Sequence, residues 1–120
     1  MTVRALRGAT TVDADTEEQV DERVRTLVRE MLARNGVDHD DLISIVFTAT
    51  EDITSIFPAA AARAAGLGDV PLLCARELSV RKGTPLCIRV LMHLTTERAR
   101  HELHHVYLEG ARGLRDDLPE

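Results

Sequence analysis

Arginine set inside apolar, β-branched stretches is the strongest chemical signal in the sequence. Arg89 stands between Ile88 and Val90 within CIRVLMHL and shares a strand face with Cys87 and Leu91. Arg7 follows Val3 and Ala5 on one face of the opening stretch. A guanidinium in such surroundings needs an anionic partner, because an unpaired buried charge is costly. A bound anion would serve. So would an internal ion pair with Glu77 or Glu109, or an edge strand that leaves the arginine in water. Arginine is abundant, with fourteen copies against the single Lys82, so no one copy settles the matter.

Other clusters carry less. His101, His104 and His105 form an HxxHH string, but no cysteine or carboxylate completes a metal-ligand spacing, and solvated histidines at a helix-to-strand corner are expected. Glu51 and Asp52 have the types of an acid/base pair, yet their position suits capping after a strand. Cys74 has no histidine near it in sequence to make a dyad and suits small apolar packing. RGATTV has one glycine and no GK[ST], so it is neither a phosphate loop nor a dinucleotide fingerprint. An enzyme built from these parts would work by electrostatics and positioning.

The elements that must hold these residues can be read from periodicity. Residues 2–8 read as a strand. Residues 16–35 read as a helix, because Val20, Val24, Leu27, Val28, Met31 and Leu32 fall at steps of three and four. Thr16 with Gln19 forms a capping-box start, and Gly36 suits the C-terminal stop. A turn or short helical step at 38–42 leads into a buried strand at 43–50. Pro58 opens an alanine-rich helix that Gly66 closes. Strands follow at 71–76 and 86–95, then a short helix at 97–102 and a last strand at 104–109 carrying Tyr107. The alternation suggests an α/β arrangement, with helices on one side of a mixed sheet.

Composition limits the partners. At 120 residues the chain has the length of one domain, 1–120, able to bury roughly two thirds of its unfolded surface. Aromatics are 2%, so the core must come from Val, Leu, Ile and Ala, and base stacking has no platform. Twenty acidic against fifteen basic side chains give a net charge of −5, which argues against nucleic acid and against an anionic membrane surface. No apolar run of about 18 residues is present to cross a membrane. The N-terminus carries charge where a signal peptide would be apolar. Cys74 and Cys87 cannot make a disulfide framework, so a reducing compartment, the cytoplasm, is expected.

The segments RALRGATTVDADTEE, FTATEDITSIFPAAAAR, VPLLCARELSV, CIRVLMHL and HHVYLEGARGLRDDL occur in that order. Together they strongly resemble the monofunctional chorismate mutases of the trimeric, pseudo-α/β-barrel class, over essentially the whole chain. The resemblance implies an α+β fold, a mixed β-sheet with helices on one face, assembling as a homotrimer with each active site in a cleft between neighbours. It implies rearrangement of chorismate to prephenate on the way to phenylalanine and tyrosine, with no cofactor, metal or covalent intermediate. Arg89 would then face the ether oxygen and Arg7 a substrate carboxylate. Glu77 would accept from the ring hydroxyl with Cys74 beside it. Tyr107 would bond a carboxylate, Phe57 would form part of the wall, Arg63 and Arg115 would capture the dianion at the rim, and Leu114 would sit on the closing C-terminal segment. Ala60 departs from the resemblance, since a relative carries lysine there. A trimeric Rid-like imine hydrolase or a non-catalytic dicarboxylate-binding module would use the same arginines.

Overall fold

The computed structural model describes residues 1–114. Strand β1 is Thr2–Thr11, helix α1 Glu17–Asn35, β2 Leu42–Ala49, α2 Pro58–Ala62, β3 Leu72–Arg76, β4 Cys87–Thr96 and β5 Val106–Tyr107. The five strands form one mixed sheet in the order β3-β2-β4-β1-β5. β4 runs antiparallel to both β1 and β2, while β3 and β5 lie parallel to their neighbours at the edges.

Strict alternation along β4 separates the two faces. Ile88, Val90, Met92 and Leu94 are buried, whereas Arg89, Leu91 and His93 are not. The buried side joins Leu6, Ile45 and Phe47 in one cluster with Val20, Val24, Leu27, Val28 and Met31 of α1. α2 packs on α1 and over β2 and β3, adding Ala59, Ala61 and Ala62 to the same cluster. The helix meets the sheet most closely at Gly8, where a Cβ would stand 2.5 Å from the Met31 sulfur. Glycine is the residue that lets α1 settle there.

The capping expectation for α1 is half met. Thr16 Oγ1 accepts from the Gln19 amide at 3.2 Å. The Gln19 side chain, however, accepts from the Asp13 and Ala14 amides instead of returning to Thr16, whose own amide already bonds the Ala14 carbonyl. Gly36 ends α1 in the left-handed region at φ 59, as its sequence position predicts. The alanine helix is shorter than expected. A widened π turn, Arg63–Leu67, takes over after Ala62, and Gly66 at φ 102 breaks it. The last strand is only Val106–Tyr107, because Glu109 turns to φ 52 and a single 3-10 turn, Glu109–Ala111, follows. The helical step at 97–102 is likewise one 3-10 turn, Arg100–Glu102. No described helix is long and apolar enough to cross a membrane.

Candidate active site

The sheet face away from the helices carries the candidate residues. Across it, Ala9 of β1 stands opposite Arg89 on one side and Tyr107 on the other, and Arg7 stands opposite Leu91. Ala9 puts only a methyl on the floor between them. Glu77 follows β3, its amide bonded to the Ala49 carbonyl at 2.9 Å. With Val46, Thr48 and Val90 these residues line one cleft of about 260 Å³. Residues about 70 to 100 positions apart in sequence thus share one pocket, because period-2 alternation gives adjacent strands a common face.

Arg89 and Glu77 are partners, but loosely. Arg89 Nε lies 3.4 Å from Glu77 Oε2, with the side chains 43% and 26% exposed. Arg89 Nε makes no full hydrogen bond among the described residues. A closed internal pair would be shorter and bidentate, so the guanidinium keeps donors for a further acceptor. Thr48 donates from Oγ1 to the same Glu77 oxygen at 2.6 Å. Cys87, the first residue of β4, sits on the Arg89 face. Burial pushes its thiol up while the Arg89 charge and hydrogen bond pull it partly back, so the thiol stays neutral and does not compete for the cation.

A second cleft, about 480 Å³, shares no lining residue with the first. Phe57, Ile53, Ile56, Cys74 and Arg76 are among those that line it. Cys74 pairs with buried Phe47 and so faces the helix side of the sheet, whereas Glu77 faces the open side. Within one chain Cys74 therefore does not stand beside Glu77. Phe57 immediately precedes α2 and is 73% exposed. Arg63 is exposed at the end of α2 and lines neither cleft. Leu114 packs on the cluster of Ala9, Tyr107 and Ala111, two of which line the first cleft. Arg115 lies outside the described residues.

The loop that carries Phe57 is pinned from a distance. Asp15 accepts from the Thr54 amide at 2.9 Å, the Thr54 hydroxyl at 3.0 Å and the Ser55 amide at 3.1 Å. The Ser55 hydroxyl, near it though short of full hydrogen-bond geometry, together with these donors lowers the Asp15 carboxyl from 3.8 to about 2. Asp52 accepts from Thr50 and from the Leu86 amide at 2.9 Å, so it braces the turn before β4. This agrees with a structural place for Asp52, while Glu51 only faces Arg76 at 4.0 Å. The histidine string divides. His101 and His104 are exposed, but His105 is half-buried and its Nδ1 accepts from the Arg7 amide at 2.9 Å.

Thr48, Asp15 and His105 were missed as supports. Thr48 sits inside ISIVFTAT, and only cross-strand register brings it to Glu77. Asp15, one residue before the Thr16 cap, carried a weak polar-loop signal and no indication of its partner loop.

Fold and site together define an α+β protein that presents two arginines, a glutamate and a tyrosine in a sheet-face cleft suited to an anionic ligand. Residues 3–118 match the family model described as chorismate mutase type I. The chain is 46% identical over 117 residues to chorismate mutase AroH of Thermus thermophilus, covering 97% of this chain and 96% of that one. It is 38% identical over 119 residues to chorismate mutase AroH of Bacillus subtilis, covering 98% and 94%. A chorismate mutase structure from Clostridium thermocellum superposes with a TM-score of 0.89 at 42% identity, over 91% of this chain and 97% of that one. The chain belongs to the type I chorismate mutase family, and its activity is that of an isomerase.

Proposed function

We propose that the chain rearranges chorismate to prephenate by holding the substrate folded and stabilising charge on its ether oxygen. One C–O bond breaks as one C–C bond forms within the same molecule, and no proton moves. General acid–base groups are therefore unnecessary, and the work is orientation and electrostatics. In this reading Arg89 faces the ether oxygen, where negative charge grows as the bond lengthens. A fixed cation interacts more strongly with that polarised state than with the ground state, and only the difference accelerates the reaction. Arg7 and Tyr107 hold carboxylate, and Glu77 accepts from the ring hydroxyl. Arg63 and Arg115 capture the dianion from the rim, with Leu114 on the closing segment. The absence of a family lysine at Ala60 leaves that capture to arginine.

A single observation carries the reading: Arg89, Glu77, Arg7 and Tyr107 line one cleft, and the Arg89–Glu77 ion pair is a single 3.4 Å contact through Nε, not a bidentate pair. At about 260 Å³ the cleft is at the small end for a ligand site. Phe57 and Cys74 line the separate cleft, which supports a site completed by a neighbouring copy. The open sheet face bears Val3, Leu73 and Leu91 exposed, apolar surface that a homotrimer would cover. The unpaired cysteines fit a cytoplasmic enzyme, one domain per chain.

The purified protein should consume chorismate, followed by its near-ultraviolet absorbance. Arg89→Ala should fold and lose roughly 10²–10³ in kcat, as for removal of one transition-state donor. Turnover close to that of the unaltered protein would remove Arg89 from its role.

A further inference from the structure

We propose that Thr48 is a positioning residue that holds the Glu77 carboxylate off Arg89 and so keeps the guanidinium available to substrate. The inference rests on the roles given above to Glu77 and Arg89. Thr48 lies on β2, opposite Arg89 of β4 on one side and Ala75 of β3 on the other. Its hydroxyl therefore stands between the strand that carries Arg89 and the strand that leads to Glu77. It donates to Glu77 Oε2 at 2.6 Å, the oxygen that also faces Arg89 Nε at 3.4 Å. Glu77 Oε1 takes no hydrogen bond from any described residue and is left for a substrate hydroxyl.

The physical reason is competition. A carboxylate beside a half-exposed guanidinium gains most by closing into a short bidentate pair. A closed pair would present a neutral unit to a dianionic substrate and tie up the donors that the ether oxygen needs. The Thr48 bond opposes that rotation by satisfying Oε2 from the β2 side. Threonine suits the task because its branched Cβ restricts χ1, so the hydroxyl is held in direction. It is the only side chain whose hydroxyl is seen to hold Glu77 among the described residues.

The test is a double-mutant cycle with chorismate as substrate. Thr48→Val keeps the shape and the β-branching but deletes the hydroxyl. It should lower kcat/KM about tenfold, the scale of one hydrogen bond to a charged group, with the thermal midpoint near that of the unaltered protein. Thr48→Ser should restore most of the loss. In a Glu77→Gln background the same Thr48→Val change should cost nothing further, because the interaction it serves is gone. Equal losses in both backgrounds, or no loss in either, overturn the role of Thr48 and leave Glu77 in place. Full activity of Glu77→Gln alone overturns the Glu77 assignment, and the Thr48 proposal with it.

Discussion

At the scale of single residues, the role proposed for Arg89 depends on guanidinium geometry more than on charge. Arg89 is fixed by a central strand, its Nε side faces Glu77, and its outer donors remain. Lysine would keep the charge but not the planar fork that donates in two set directions. Arg89→Lys should therefore recover little of the activity lost in Arg89→Ala, with kcat still about 10²-fold below the unaltered protein. Steady-state kinetics on the two variants decides this, and near-equal rates for lysine and arginine would show that a point charge suffices. The site is also selective about protonation. Burial keeps the Cys87 thiol neutral beside the cation, so one potential competitor for Arg89 is silent at neutral pH.

At the scale of elements, the loop between β2 and α2 bears Phe57, and the β1–α1 connection holds it. Asp15 supplies this tie through both of its oxygens. Its folded carboxyl titrates at about 2, below the ordinary 3.8, because hydroxyl and amide donors favour the charged form. As pH falls, the unfolded chain takes up this proton first, so the folded state loses the benefit between about pH 4 and pH 2. Above pH 4 the benefit is fully present. Asp15→Asn should be less stable than the unaltered protein at pH 6, with the gap closing toward pH 2. Denaturant unfolding at several pH values measures it, and a gap independent of pH would show that the Asp15 charge is not what holds the loop. Leu86 and Glu109 take positive φ at the entry to β4 and just after Tyr107. The Leu86 turn is held by Asp52 and by the Val12 amide on the Leu86 carbonyl.

At the scale of the whole molecule, one face of the sheet is covered by helices, and the proposed homotrimer would cover the other. Leu73 is 63% exposed on that open face, outside the Arg89 cleft. In the proposed homotrimer, Leu73→Asp should shift the mass in solution from three chains toward one and reduce activity with it, because the proposed site draws Phe57 and Cys74 from a neighbour. Light scattering and turnover on the same samples test the link. Full activity in a monomer would show that one chain carries a complete site.

The sequence determined the elements and the alternation within them. The α1 stripe, the glycine stop at Gly36 and the Arg89 face of β4 were legible because 3.6- and 2-residue periods are local consequences of backbone geometry. Ordered segments such as CIRVLMHL and HHVYLE also carried the family. Register, proximity and division of the site belonged to the tertiary structure. No local rule states that Thr48 stands opposite Arg89, that His105 caps the Arg7 amide, or that Cys74 turns to the helix side while Glu77 turns to the open face. Those relations follow from strand pairing between segments far apart in the chain. Pairing is settled by which side chains the whole core can bury together.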